Sequence, residues 1–359
     1  MIRDLTERAG VERVQINLAN ALIERGDTIS IWSCYRRNSS PCFELSSDVV
    51  VSYGRRQPLP FFLEYPWLMF ILEYPWLMLS FALFVIRHRP QWIVVTDTNR
   101  LVAALLGALV PGVRLAVWEH FPLSLRMKMA RERMIRRLAG VLASRIVTLT
   151  GRDTELYVKH YASSGRVAAI PNIVRLPEPE NKVRLQDVLA VGRLSPQKGF
   201  DLLLQAWLVA GRQLPGWSLR IVGAGPMRDE LSKQATTLGI ESTVFFEPFT
   251  SDPYPYYSKC GIFVLSSRWE GLPTVLTEAM VCGAPCISFD CPNGPRELIR
   301  DGVNGILLPP EGVDDLAGAI VKLGADPGLR QTLGSEARKV SELVSSSSVA
   351  AHWHNFLDS

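Results

Sequence analysis

Short apolar and β-branched runs alternate with helix-period segments from end to end of this chain of 359 residues. The first half carries TISIWS, DVVVSY, WIVVTD, RLAVWEH and RIVTLT; the second carries DVLAVGRL, SLRIVGAG, TVFFEPF, GIFVLSS, APCISFD and GILLPP. Strand-helix-strand order of this kind builds parallel sheets covered by helices. Between the two series lies PNIVRLPEPENKVRLQ, whose prolines and charges suit a linker. The expected architecture is α/β: a doubly wound domain over 1–175, a linker over 176–187, a second doubly wound domain over 188–340, and a C-terminal helix over 341–359 that can pack back on the first. With 47% hydrophobic residues the chain can fill two cores. In such folds ligands bind at the carboxyl ends of the strands, so the two domains are expected to face each other across a ligand cleft.

The net charge of +4 is unevenly spread, with 23 Lys/Arg against 16 Asp/Glu through residue 180 and 16 against 19 beyond it. A basic first half suits a membrane surface or a phosphorylated substrate; no zinc finger or RNP signature argues for nucleic acid. The six cysteines form no CxxC pair and have no histidines at zinc-ligand spacing, so they read as buried, reduced thiols. The opening MIRDLTERAG has no apolar signal core, and the expectation is a cytoplasmic protein.

The most apolar stretch, 58–86, is long enough to cross a bilayer, yet it contains Glu64, Glu73, Pro66 and Pro75. A central carboxylate costs about 3 kcal/mol in a lipid-exposed helix, so an interfacial helix pair is the preferred reading over a true span, with a buried core helix as the other alternative. Within it FLEYPWLMF at Phe62–Phe70 is repeated at once as ILEYPWLML at Ile71–Leu79. Nine residues at about 100° each turn a helix face through half a circle, so the copies cannot bury the same face of one straight helix. Downstream, RMKMARERMIRR at Arg126–Arg137 sets six cations against Glu132, which suits either anionic lipid headgroups or a solvated helix with its methionines in a core.

The chemistry gathers in the second half. Glu270 and Glu278 stand eight apart in RWEGLPTVLTEAM, just after an apolar strand. On a helix beginning near Leu272 the second acid falls two turns in, while the first sits in the loop at the N-terminus, where backbone N–H groups attract anions. VGRLSPQKGF places Arg193 and Lys198 in a strand-to-helix loop, with Gly192 and Gly199 permitting tight turns; two cations there can grip a diphosphate. IVGAGPMRDEL has Asp229 where a dinucleotide fingerprint would have its third glycine, so by itself it is a turn into a helix. In the first half Gly10 opens a helix and His120 follows a strand, where a lone histidine is either structural or a ligand.

GRLSPQKG, VGAGP and the E-x7-E run, in this order, resemble glycosyltransferase family 4, retaining enzymes of the GT-B fold. The resemblance spans nearly the whole chain and is strongest after Asn181; FDCPNGPRELIRDGVNGILLPP is similar to members that extend lipopolysaccharide, capsule or lipid-linked oligosaccharides. It implies a hexosyl or N-acetylhexosaminyl transferase that takes a nucleotide diphosphate sugar, UDP-linked, to a lipid-linked or polysaccharide acceptor in cell-envelope glycan synthesis. Arg193 and Lys198 would then neutralise the donor diphosphate, and Glu278 would bind the ribose. The backbone N–H groups of Thr274 and Val275 would face phosphate. Glu270 would lie against the sugar, with Leu272 and Pro273 shaping the turn beside it. Gly10 would admit the phosphate closely, and His120 would reach the sugar or acceptor. Family members work without a protein nucleophile or a DxD metal site, so neither a permanent cofactor nor a metal is implied. The resemblance further suggests peripheral association with the inner face of the cytoplasmic membrane, on an anionic surface.

Two departures stand out. Family members open with an apolar strand, whereas Arg3, Asp4, Glu7 and Arg8 deny MIRDLTER that character, so the first domain is expected to lack its innermost strand. Ala9 also replaces the first glycine of the usual pair. On this reading a short upstream strand belongs to the working protein; the other outcome is a catalytically impaired sugar-nucleotide-binding or scaffold paralogue.

Overall fold

The computed structural model describes residues 1–6, 10–55, 74–127, 129–177 and 184–359. The chain divides into two compact units, Met1–Ile173 with Ser346–Ser359, and Val174–Ser345.

The first unit runs β1 (Ile2–Asp4), α1 (Gly10–Glu24), β2 (Ser30–Tyr35), β3 (Val50–Arg55), α2 (Tyr74–His88), β4 (Trp92–Thr96), α3 (Leu101–Ala108), β5 (Arg114–Trp118), α4 (Leu123–Arg126), α5 (Ala130–Leu142), β6 (Arg145–Thr148), α6 (Gly151–His160) and β7 (Val167–Ala169). All pairings are parallel, in the orders β1-β2-β3 and β4-β5-β6-β7. Met1 links the two ladders: its ammonium donates to Val94 O at 2.6 Å and its carbonyl accepts from Thr96 N–H at 3.3 Å. The expectation that the innermost strand is missing is therefore corrected, since Ile2 and Asp4 register with Ser33 and Tyr35. The charge that argued against a strand is accommodated at its end: buried Asp4 accepts from Thr6 N–H at 3.0 Å and Thr6 Oγ1 at 2.6 Å, with Arg37 at 3.4 Å. Ile2 and Leu5 enter the core.

The tandem duplication lies mostly outside the described residues, and so does the paired-helix expectation for 58–73. The described remainder, α2, is a single helix with two faces. It buries Tyr74, Leu77, Phe81, Ala82 and Val85, Phe81 meeting Trp32 edge-on at 5.0 Å. The opposite stripe of Trp76, Leu79, Leu83 and Ile86 is more than half exposed. Among the described residues no helix is long and apolar enough to cross a membrane. The basic segment 126–137 is likewise less of a surface feature than its charges suggest, because Arg136 is fully buried.

The second unit runs β8 (Asp187–Val191), α7 (Phe200–Gln213), β9 (Ser218–Val222), α8 (Arg228–Thr237), β10 (Val244–Glu247), α9 (Tyr254–Tyr257), β11 (Ile262–Leu265), α10 (Thr274–Val281), β12 (Cys286–Phe289), α11 (Pro295–Leu298), β13 (Ile306–Leu308), α12 (Val313–Ala325), α13 (Pro327–Ala337) and α14 (Ser341–Val344). Its parallel sheet has the order β10-β9-β8-β11-β12-β13, a doubly wound arrangement whose direction reverses between β8 and β11. Its core packs Trp207, Leu203, Val188, Phe289 and Ile320. The chain leaves this unit later than residue 341: α14 stays with it, and Val174 N–H donates to Val344 O at 3.1 Å beside the crossing. The last helix, α15 (Ser346–Asp358), belongs to the first unit, where buried Trp353 meets Trp118 edge-on at 5.0 Å. The cysteines are free, five of them buried and Cys42 half-buried.

Candidate functional site

The reversal between β8 and β11 places two loops side by side, and the sequence locks them together. After β8 the chain passes Gly192, makes a short turn over Pro196–Lys198 and enters α7 through Gly199, whose φ of 60° is left-handed. A side chain at Gly199 would collide with the carbonyl of Ser266, just after β11. Ser266 Oγ donates to Lys198 O at 2.9 Å, Gln197 Nε2 donates to Trp269 O at 3.0 Å, and Arg268 grips Asp201 at the start of α7 with bonds of 2.9 and 2.7 Å. Burial raises the Asp201 pKa, but the Arg268 hydrogen bonds and charge outweigh it and hold the carboxyl below its ordinary value.

This brace fixes a part-buried ion pair. Lys198 lays its stem over Gly192 and brings Nζ to 2.7 Å from Glu270 Oε1, and Ser267 Oγ donates to the same oxygen at 2.7 Å. Past Glu270, buried Leu272 and Pro273 turn the chain into α10, which no side chain caps. Leu276 and Thr277 N–H both bond Pro273 O, so the helix tightens onto its own start while Thr274 and Val275 lead it. The turn holding Gly294 presses against it: a Cβ there would collide with Gly271 O. Because α10 starts at Thr274, Glu278 lies one turn in, not two; it is buried, and Tyr257 OH donates to Oε2 at 3.0 Å.

Arg193 is not part of this constellation. Its side chain is exposed and forms no hydrogen bond or ion pair among the described residues, so the two cations of one loop are separated. The structure thus joins Lys198 to Glu270, a pair 72 positions apart that spacing could not show. Ser267 and Tyr257 also escaped the sequence reading; the serine stands at a legible strand end, whereas nothing in YPYY points to an acid 21 positions on.

In the first unit, His120 follows β5. Its ring lies against that of Trp118, centroids 4.3 Å apart and tilted by 45°, and Nε2 finds no hydrogen-bond partner among the described residues. Burial, helped by Arg100, lowers its pKa to about 3, so it is neutral at physiological pH. Beside it Glu119 accepts from Thr98 Oγ1 at 2.8 Å, Tyr157 OH at 2.5 Å and Arg136 Nη2 at 3.2 Å, while Arg136 also meets Glu132 at 2.8 Å. Burial raises the Glu119 pKa against the lowering effect of Arg136. Gly10 opens α1 exposed, and a Cβ there would meet nothing within 4 Å, so no neighbour in the structure demands glycine.

Two family profiles match the chain, "Glycosyltransferase Family 4" over residues 8–177 and "Glycosyl transferases group 1" over 176–340. The chain belongs to glycosyltransferase family 4. It is 28% identical over 361 residues to an uncharacterized glycosyltransferase of Haemophilus influenzae, covering 99% of this chain and 98% of the other. It is 26% identical to the amylovoran biosynthesis glycosyltransferase AmsD of Erwinia amylovora, covering 100% and 98%. Among solved structures, Anabaena HepE in complex with UDP superposes with a TM-score of 0.79 over 99% of this chain and 98% of its own, at 20% identity. The fold of this glycosyltransferase is GT-B, with two Rossmann-like α/β domains.

Proposed function

We propose that this glycosyltransferase moves a hexosyl or N-acetylhexosaminyl group from a UDP-sugar, with retention, to a lipid-linked or polysaccharide acceptor in cell-envelope glycan synthesis. The observation that carries this reading is the Lys198–Glu270 pair at 2.7 Å beside the uncapped start of α10. A donor diphosphate at that start meets the Thr274 and Val275 N–H groups and the Lys198 ammonium, which together neutralise the charge that develops on the leaving group. Glu270 turns to the sugar hydroxyls, Glu278 accepts from the ribose, and exposed Arg193 swings onto the phosphate. His120, neutral and with Nε2 unpartnered, contacts the sugar or acceptor. The relatives' names support the envelope assignment, and the UDP complex of the structural neighbour supports the donor.

We assign the acceptor side to an anionic membrane surface. Support comes from the exposed stripe of α2 and from Arg131, Arg133, Met134 and Arg137, all exposed on α5. Calorimetry with UDP, followed by mass spectrometry of products from a panel of nucleotide sugars, tests the reaction. Failure to bind any nucleotide diphosphate overturns it. Co-sedimentation with phosphatidylglycerol vesicles but not phosphatidylcholine vesicles tests the surface; equal pelleting with both overturns its electrostatic part.

A further inference from the structure

Glu278, the acid proposed for the ribose, is not placed by its own helix alone. It is buried, and the fully buried Tyr257 donates its hydroxyl to Oε2 at 3.0 Å. The two side chains come from different elements: Tyr257 ends α9, and Glu278 lies one turn into α10. One guanidinium joins the ends of these helices. Arg184 Nη1 donates to Tyr257 O at 3.3 Å and to Cys260 O at 2.9 Å, where the chain leaves α9, while Nη2 donates to Cys282 O at 2.9 Å, just past α10. Helix ends leave such carbonyls without an intrahelical partner. Because the guanidinium is a rigid planar fork, its two nitrogens fix how far apart α9 and α10 end.

The tyrosine ring is held as firmly as the helices. It meets Phe263 of β11 edge-on at 5.7 Å and Tyr254 edge-on at 6.0 Å, and Tyr254 OH in turn donates to Arg175 O at 2.7 Å. A glutamate side chain ends in a broad, roughly two-fold torsion, so an untethered carboxylate turns its plane freely and a ligand must freeze it on binding. A hydroxyl fixed on one oxygen sets that plane before the ligand arrives, which removes part of the cost of association. Phenylalanine would supply the same ring packing. The buried hydroxyl loses its hydration, and the bond to the carboxylate offsets that loss.

We propose that Tyr257 is a positioning residue for the nucleotide: its hydroxyl fixes the plane of the Glu278 carboxylate for the ribose hydroxyls, and so sets the preference of the site for a ribonucleoside diphosphate over one that lacks them. The inference rests on the ribose assignment of Glu278, and the experiment separates the two.

The full chain, Tyr257→Phe, Glu278→Ala and the double variant are titrated with UDP and with 2′,3′-dideoxy-UDP by calorimetry. Tyr257→Phe is expected to weaken UDP binding by about three- to tenfold while 2′,3′-dideoxy-UDP binding stays within about twofold. In the Glu278→Ala background the same substitution is expected to change UDP affinity by less than about twofold, since no carboxylate is left to orient. A tyrosine that only packs would lower the affinity for both nucleotides together, with or without Glu278, and that result overturns the proposal. So does full UDP affinity in Tyr257→Phe while Glu278→Ala still weakens UDP. Unchanged UDP affinity in Glu278→Ala overturns the ribose assignment, and the role of the tyrosine with it. Should Tyr257→Phe fail to fold, hydrogen exchange of the unsubstituted chain decides: stronger protection of residues 254–260 by UDP than by 2′,3′-dideoxy-UDP supports the proposal, and equal protection overturns it.

Discussion

The two units both order parallel strands around an early strand, β1 in the first and β8 in the second, but these strands differ in quality. In the second unit β8 has five residues, and Val188, Leu189 and Ala190 are fully buried; in the first, β1 has three and ends on a buried aspartate. The difference is carried into what each strand supports. The loop after β8 is pinned to the loop after β11 by Gly199, Ser266, Gln197 and Arg268, so Lys198 and Glu270 are held before any substrate arrives. β1 is held by a buried ammonium and by Asp4, and its neighbours enclose a cavity. A site that must position charge is built on a complete strand, because buried ladder bonds and packing resist displacement where isolated ionic contacts are weak.

Four substitutions or conditions sharpen that contrast. The largest effect is expected from Trp353→Ala, which empties a fully buried site against Trp118 and should cost about 3–5 kcal/mol. Denaturation followed by residue-resolved hydrogen exchange should show the loss in the first unit alone; an equal loss around β8 would mean that the units do not fold separately. Next, Lys198→Ala should lower kcat by about 100- to 1000-fold, and it should also lower Tm, because it leaves the buried Glu270 carboxylate without its ion-pair partner. Retention of full turnover would remove Lys198 from the reaction. Glu278→Ala should weaken UDP binding by roughly tenfold with a smaller change in kcat, read by calorimetry, because it deletes one charged hydrogen-bond acceptor.

The smallest effect is on pH. His120 and the Met1 ammonium both have folded pKa values below their ordinary ones, at about 3 and about 5. Their neutral forms are favoured by folding, so the stability they contribute is present at high pH. It is lost as pH falls from about 8 towards 5 for Met1, and from about 6.5 towards 3 for His120. Glu119, with its pKa raised by burial, acts in the opposite direction; hydrogen exchange at pH 8 and pH 5 should therefore show loosening around Met1 and His120 while β8–β13 hold. Uniform loosening would break the comparison.

Much of this was legible in the sequence. Alternating runs gave parallel sheets in two domains, and GRLSPQKG with the E-x7-E run marked the two loops that the structure joins through Lys198 and Glu270. What stayed hidden shares one cause. Arg136 looks like part of a basic surface stripe until Glu119 and Glu132 are seen to enclose it. Asp4 looks like a strand breaker until Thr6 and Arg37 satisfy it. Tyr257 carries no local sign of its acid partner.

The sequence alone determined the class of fold and the identity of the charged residues, because strand and helix periods and turn glycines act over a few neighbouring positions. Tertiary structure decided which charges meet. Lys198 reached Glu270 rather than acting beside Arg193, and Trp353 was returned to a unit built from the opposite end of the chain. Such pairings depend on where parallel strands bring distant loops, and a buried charge keeps its place only where a distant partner offsets its lost hydration.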